Sequence, residues 1–340
     1  MIHTRGLTRH FRVKDQVVEA VRGIDLDVAA GELVAFLGPN GAGKSTTLRM
    51  LTTLLAPTAG TAEVAGFDVV ADPQAVRRRI GSIGQGNGAG HSQRARDELV
   101  NQGRCYGLSA PDAKIRADEM LAALNLGDLG GRVVNTLSGG QRRRLDIAMG
   151  MVHRPELLFL DEPSTGLDPQ NRANLKEEIL RLRTEHNTTI VLTTHYLDEA
   201  DTLADRVIVI DHGRVIADDT PQRLKTELVG DHLVVGTTPA AASTLAALVE
   251  RFDPRSVTVA GGVVTARMAS APARVPDVLR AADQAAVPVT YVEVATATLD
   301  DVFLVLTGRS LRESAAADEE PEPVQPTTEP TTPIHEEQAA

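Results

Sequence analysis

Residues 33–54 read LVAFLGPNGAGKSTTLRMLTTL. Leu33–Leu37 is a continuous apolar run that stops at a glycine, the pattern of a strand buried on both faces. Gly38-Pro39-Asn40-Gly41-Ala42-Gly43-Lys44-Ser45 then matches G-x-x-x-x-G-K-[ST] without a mismatch. Lys44–Leu54 has helical composition, so the glycine-rich stretch lies between a strand and a helix, the context this motif requires. The glycines let the backbone curl until successive N–H groups point at one anion. The helix that follows adds its positive N-terminal end. Lys44 can reach the outer phosphates of a nucleotide, and the Ser45 hydroxyl, like other oxygen donors, can ligate Mg²⁺.

Working outward, the same strand form recurs at Leu157–Asp161, Thr189–His195 and Arg206–Asp211. Asp211-His212-Gly213 turns the last of these into a hairpin. Pro169–Glu185 reads as a helix, and the alternation predicts an α/β sheet with helices on its faces. Gly86–Met151 contains no convincing strand and reads as helical, broken at Gly127–Gly131. It is read as a helical insertion of about 86–151 within the sheet domain.

A phosphate loop needs a second metal carboxylate at a neighbouring strand end, and Asp161 supplies it. Glu162 follows at once and is the candidate general base for an attacking water. Leu137-Ser138-Gly139-Gly140-Gln141 precedes the helical run Arg142–Met151. A serine hydroxyl and paired glycines at a helix start form a second anion site. Two phosphate-binding devices so far apart in the chain suggest one ATP held between two subunits.

Beyond about residue 230 the pattern changes. His232–Gly236, Ser256–Ala260, Val263–Met268 and Val289–Ala295 read as strands, with helices at Ala240–Phe252 and Ala273–Ala285. The order β-α-β-β-α-β predicts a small ferredoxin-like α+β unit. A final helix, Leu299–Leu306, carries Thr298 as its N-cap and Asp300 and Asp301 in its first turn. The expected division is 1–229 for the nucleotide-binding part, 230–310 for the accessory part and 311–340 for a disordered acidic tail. That tail holds eight acids, one base and five prolines, too polar to offset its ordering entropy by burial.

The chain has 340 residues and a formal charge of −11, much of it in the tail. Hydrophobic residues at 42% and charged residues at 24% exclude a wholly disordered or collagen-like protein. The remaining body is slightly acidic, which argues against a nucleic-acid surface. Cys105 is the single cysteine, so neither an intrachain disulfide nor a multi-cysteine metal site is available. No apolar run approaches the ~18 residues of a membrane span, and the N-terminus lacks a signal-peptide core. The expected location is therefore the cytoplasm.

Taken together, these motifs resemble the nucleotide-binding subunits of ATP-binding-cassette (ABC) transporters, over roughly residues 2–225. The resemblance implies a Walker A loop at 38–46, extending to Thr46, an LSGGQ signature at 137–141 and a Walker B run at 157–162. It implies a D-loop at Ser164-Thr165-Gly166-Leu167-Asp168, a switch histidine at His195, a Q-loop glutamine at Gln85 and an adenine-stacking Phe11. Within that superfamily the chain is similar to the daunorubicin/doxorubicin-resistance type, through Gly166-Leu167-Asp168-Pro169, HYLDEAD at 195–201, DHGRVIADDTP at 211–221 and LDDVF at 299–303. One stretch departs from the pattern: GNGAGHSQRAR, residues 86–96, is glycine-rich and basic.

The implied assembly is a head-to-tail homodimer around ATP. Lys44, Ser45 and Asp161 come from one chain, and Ser138, Gly139, Gly140 and Gln141 from the other, with Asp168 at the same boundary. Catalysis is expected from Glu162, His195 and Gln85, with Mg²⁺ held by Ser45, Gln85 and Asp161. Separate integral membrane permease subunits are the implied partners, which puts the chain at the cytoplasmic face of the membrane as an exporter ATPase for a hydrophobic or amphiphilic compound. The alternatives are a soluble ABC-class ATPase acting on ribosomes or DNA, and a regulatory cassette that does not hydrolyse ATP.

Overall fold

The computed structural model describes residues 1–308 except Asp15 and Asn87. The disordered tail expected at 311–340 lies outside the described residues.

Two sheets and a set of helices form the first part of the chain. The central sheet has the order β10-β9-β3-β8-β7-β6. Its strands are β3 (Leu33–Leu37), β6 (Ile80–Ile83), β7 (Leu157–Asp161), β8 (Thr189–Thr194), β9 (Arg206–Asp211) and β10 (Arg214–Asp219). All pair in parallel except β10, which returns antiparallel to β9 through the expected hairpin. Every residue of β3, β7 and β8 is buried. Alternation along β3 sends Leu33, Ala35 and Leu37 to one apolar cluster and Val34 and Phe36 to another.

The second sheet was not expected from the sequence. It is antiparallel, of order β2-β1-β4-β5, from β1 (Ile2–Val13), β2 (Gln16–Val28), β4 (Ala59–Val64) and β5 (Phe67–Asp68). Its apolar side, including Ile2, Leu7, Ile24 and Val64, packs with Val34, Phe36 and Phe159 of the central sheet. Helix α1 (Lys44–Leu51) contributes Leu48, Met50 and Leu51 to that cluster, and α2 (Pro73–Arg79) contributes Val76.

On the other face lie α3 (Ala95–Cys105), α4 (Ala110–Ala123), α5 (Gly139–Met151), α6 (Pro169–His186), α7 (Leu197–Leu203) and the short α8 (Pro221–Leu224). Between β6 and β7 the described residues form helices and no strand, only an isolated bridge between Arg94 and Val133. This is the predicted helical insertion, held by α3, α4 and α5 around Leu99, Leu121 and Leu145.

The accessory part comprises β11 (Asp231–Thr237), α9 (Ala242–Glu250), β12 (Ser256–Ala260), β13 (Val263–Met268), α10 (Ala271–Gln284) and β14 (Val289–Ala295). Sheet order β12-β13-β11-β14 with antiparallel pairing is the ferredoxin-like arrangement. It has its own core around Leu233, Leu245, Val264 and Val278. The last helix, α11 (Leu299–Thr307), leaves this core. Thr298 caps it in a box with Asp301. Its Leu299, Val302 and Phe303 are buried in the same cluster as Ala200, Leu203, Leu224 and Val229. Phe303 is fully buried. Phe303→Ala is expected to lower stability by about 3–5 kcal/mol. Urea denaturation of the full chain, followed by circular dichroism, reads this; an unchanged midpoint would mean that α11 is not fastened there.

Candidate functional site

The loop between β3 and α1 curls as its glycines require. A β-carbon on Gly38 would stand 2.1 Å from the Ile210 carbonyl oxygen, and one on Gly43 2.5 Å from that of Ala20. Gly43 also has φ +106°, in the region that favours glycine. Loop residues 40–46 line an open pocket of about 530 Å³ together with Ala20, Gln85 and Glu162. Asn40 is exposed at its mouth, while Gly38 and Pro39 sit behind it and are buried. The first amides of α1 have no acceptor inside the helix and face this space, and no acid stands in the first turn to compete for them.

Lys44 is nearly buried, and its Nζ donates to the carbonyls of Gly38 at 2.7 Å and Pro39 at 2.9 Å. Burial lowers its pKa, partly countered by the charges of Glu162 and Asp161. The cation is thus stored on its own loop, short of a charged partner.

Asp161 ends β7 with one oxygen accepting hydrogen bonds from Ser45 Oγ at 2.8 Å and Thr193 Oγ1 at 2.6 Å. The structure therefore joins Ser45 to Asp161 across more than a hundred residues of sequence. Glu162 follows in the left-handed region, φ +47°, unusual for a side chain of this size. Its N–H is held there by the Thr193 hydroxyl at 2.9 Å and the Thr193 carbonyl at 3.2 Å. This turn aims the carboxylate into the pocket. The facing His195 imidazole is the largest influence on Glu162 and holds its carboxyl below the ordinary value; burial opposes this, and Lys44 and the Thr165 hydroxyl add to the lowering. Glu162 is therefore ionised at neutral pH.

His195 Nδ1 lies 3.4 Å from Glu162 Oε2, an ion-pair approach and not a well-formed hydrogen bond. Its ring leans on Tyr196 at 4.2 Å, and the Arg172 guanidinium covers Tyr196 at 3.9 Å. Tyr196 belongs to the HYLDEAD stretch, but Arg172 lies in no motif and nothing in the spacing of the two announces their contact, so this backing was not legible in the sequence.

The remaining predicted residues lie elsewhere. Ser138 caps α5 in a reciprocal box: its hydroxyl accepts from Gln141 N, and the Gln141 side chain accepts from Ser138 N at 2.9 Å. Ser138 and Gly139 are exposed, and Gly140 is buried against Asn171, whose side-chain oxygen would be 2.6 Å from a β-carbon there. Asn171 in turn is held by Asp168, the cap of α6. Residues 138–141 and Asp168 thus form one surface, and none of them lines the pocket of their own chain. Phe11 lies half-buried on the β1–β2 hairpin, paired with Val18 and covered by Arg9 at 4.8 Å. Ala20 of that hairpin reaches the pocket lining; Phe11 does not.

A site of this construction, with an anion loop and a strand-end carboxylate pair on a mostly parallel sheet, defines a P-loop nucleotide-binding protein. Residues 21–165 match the ABC transporter family. The chain is 44% identical over 304 residues to the daunorubicin resistance ATP-binding protein DrrA3 of Streptomyces coeruleorubidus, covering 88% of this chain and 94% of that one. It is 51% identical over 227 residues to the daunorubicin/doxorubicin resistance ATP-binding protein DrrA of Streptomyces peucetius, 67% of each chain. Among solved structures, a dimeric bacterial ABC transporter cassette superposes with a TM-score of 0.60 at 25% identity, over 65% of this chain and 98% of its own. The chain belongs to the ABC transporter family, as one of its ATP-binding, ATP-hydrolysing cassette subunits.

Proposed function

We propose that this chain is the ATPase of an exporter for a hydrophobic or amphiphilic compound, working as a head-to-tail homodimer at the cytoplasmic face of a membrane beside separate permease subunits. The daunorubicin and doxorubicin resistance for which the two Streptomyces relatives are named supports the cargo class. No helix among the described residues is long and apolar enough to cross a membrane, so the reading assigns the passage to other polypeptides. The slightly acidic body favours this reading over action on ribosomes or DNA.

One observation carries the dimer. Ser138 and Gly139 at the start of the signature helix are exposed, with Ser138 oriented by its capping box, yet they stand outside the pocket that holds Lys44. A second copy, turned head to tail, presents that helix start to the phosphates. ATP then bridges two chains and favours the closed state by binding it better.

Within each site, the loop amides and Lys44 hold the β- and γ-phosphates. Ser45 Oγ and the Asp161 carboxylate are hard oxygen donors 2.8 Å apart, suited to Mg²⁺, with Gln85 at the pocket edge. Bound there, Mg²⁺ would neutralise charge on the phosphate oxygens. Glu162 takes a proton from, or orients, the attacking water. His195 contacts the γ-phosphate and keeps Glu162 in place. Loss of the bridging phosphate lets the subunits part. Glu162, His195 and Lys44 stand together in the structure, which favours a hydrolysing cassette over a regulatory one.

Complementation tests the arrangement. Lys44→Ala and Ser138→Ala chains are each inactive, because both sites of either homodimer are damaged. Mixed, they restore ATPase activity, because one of the two composite sites receives Lys44 from one chain and Ser138 from the other. Mixtures no more active than the separate variants would refute the shared site.

A further inference from the structure

Arg143 lies on α5, five residues beyond the Ser138 cap, and is buried. Its guanidinium spends all three nitrogens on backbone carbonyls from two other segments. Nη1 donates to Gly84 at 2.7 Å, Nε to Pro163 at 2.7 Å and Nη2 to Asp161 at 3.2 Å. Gly84 immediately precedes Gln85, while Asp161 and Pro163 flank Glu162. One turn further on the same face of α5 is Asp146, also buried. Its Oδ1 accepts the backbone N–H groups of Gly88 at 2.9 Å and Ala89 at 3.2 Å. Arg143 thus grips the chain just before Gln85, and Asp146 grips it just after.

Neither side chain lines the pocket, and although the two opposite charges attract each other, every hydrogen bond they make goes to backbone. Their partners are the backbone of the segments that carry Gln85 and Glu162. Taking an arginine and an aspartate out of water is costly, and a core that needed only stability would be served by apolar residues of similar volume. What this pair adds is geometry: a planar fork of donors fixes the positions of three carbonyls relative to one another.

We propose that Arg143 and Asp146 are positioning residues that join the Ser138 helix, the Gln85 loop and the Glu162 turn into one rigid unit, so that a shift at Gln85 is carried to the Ser138 face and to the catalytic carboxylate together. The glycine-rich stretch after Gln85 has a role in this unit. Its backbone approaches a buried carboxylate closely, with two consecutive amides turned toward it. The proposal rests on the hydrolytic reading of Glu162 and Gln85 and adds to it what holds them in register.

Three full-length variants test it, with steady-state ATPase activity expressed per nucleotide site titrated by calorimetry, so that a misfolded fraction does not count. Arg143→Lys keeps the charge but not the fork, and Asp146→Ala removes the acceptor. Both are expected to lower kcat about 10- to 100-fold, with ATP affinity within about twofold of the parent. Asp146→Asn keeps an acceptor oxygen and should retain most of the parent turnover. A purely structural role would lower the number of sites and leave kcat per site unchanged in all three. That result overturns the proposal, as does a loss confined to ATP affinity. A parent chain that binds ATP but never hydrolyses it would instead overturn the reading beneath.

Discussion

Glutamine in place of Glu162 slows ATP turnover by about 10²- to 10⁴-fold while ATP still binds. The substitution keeps the size of the side chain and leaves the backbone turn alone. That turn is fixed by Thr193, whose carbonyl and hydroxyl both receive the Glu162 N–H. What disappears is the negative charge that faces His195 and Lys44. An amide can hold a water but cannot take its proton. Because the bridge persists, ATP-bound dimers accumulate, and light scattering during gel filtration with ATP reads them directly. Turnover near the parent rate would remove Glu162 from the role of base. The carboxyl's depressed pKa gives a second check. The parent is active above that pKa and loses activity as pH falls through it, below the ordinary carboxylate range, whereas the residual rate of the variant lacks this limb.

Lys44→Ala is expected to weaken ATP binding by about two orders of magnitude, the usual cost of removing one partner from a buried, hydrogen-bonded charge pair. The ammonium donates to two neutral carbonyls in a desolvated position. Phosphate oxygens offer it full negative charge, so it gains more from the nucleotide than from its own loop. The free protein loses little when the residue is cut back, because Lys44 lines the open pocket and its removal lets water reach the two carbonyls behind it. The variant should melt close to the parent temperature without ATP and show almost none of the parent's ATP-dependent rise. Unchanged affinity by calorimetry would refute the role.

How much of this could be read in advance depended on where each residue's partners lie. The strands of the central sheet are buried on both faces, so Leu33–Leu37, Leu157–Asp161 and Thr189–Thr194 announce themselves as apolar runs between turns. The antiparallel sheet gave no such signal. Strand β1 mixes Arg5, Arg9, His10 and Arg12 with its buried residues, and register shifts after Thr4, Leu7 and Arg9 break the two-residue alternation. Strand β6 is four residues long and follows a three-arginine helix end, too short for periodicity to register. In the site, Lys44, Ser45 and Asp161 were legible because phosphate and metal chemistry demand those side chains at those places. Arg143 was not. It works through backbone carbonyls, which every residue possesses, so nothing in the identity of its partners marks the contact. The Arg172–Tyr196 support behind His195 is hidden for a related reason, since stacking imposes no fixed spacing along the chain.

The final helix belongs in sequence to the accessory unit but in packing to the nucleotide-binding one. The two units are consequently latched twice, once by the covalent connection near Gly230 and once by the Phe303 plug. A single protease cut at that connection should leave both pieces travelling together through a sizing column. Expressing residues 1–229 alone, by contrast, would lay Ala200, Leu203, Leu224 and Val229 bare to water, and such a fragment should aggregate without ATP where the intact polypeptide stays in solution.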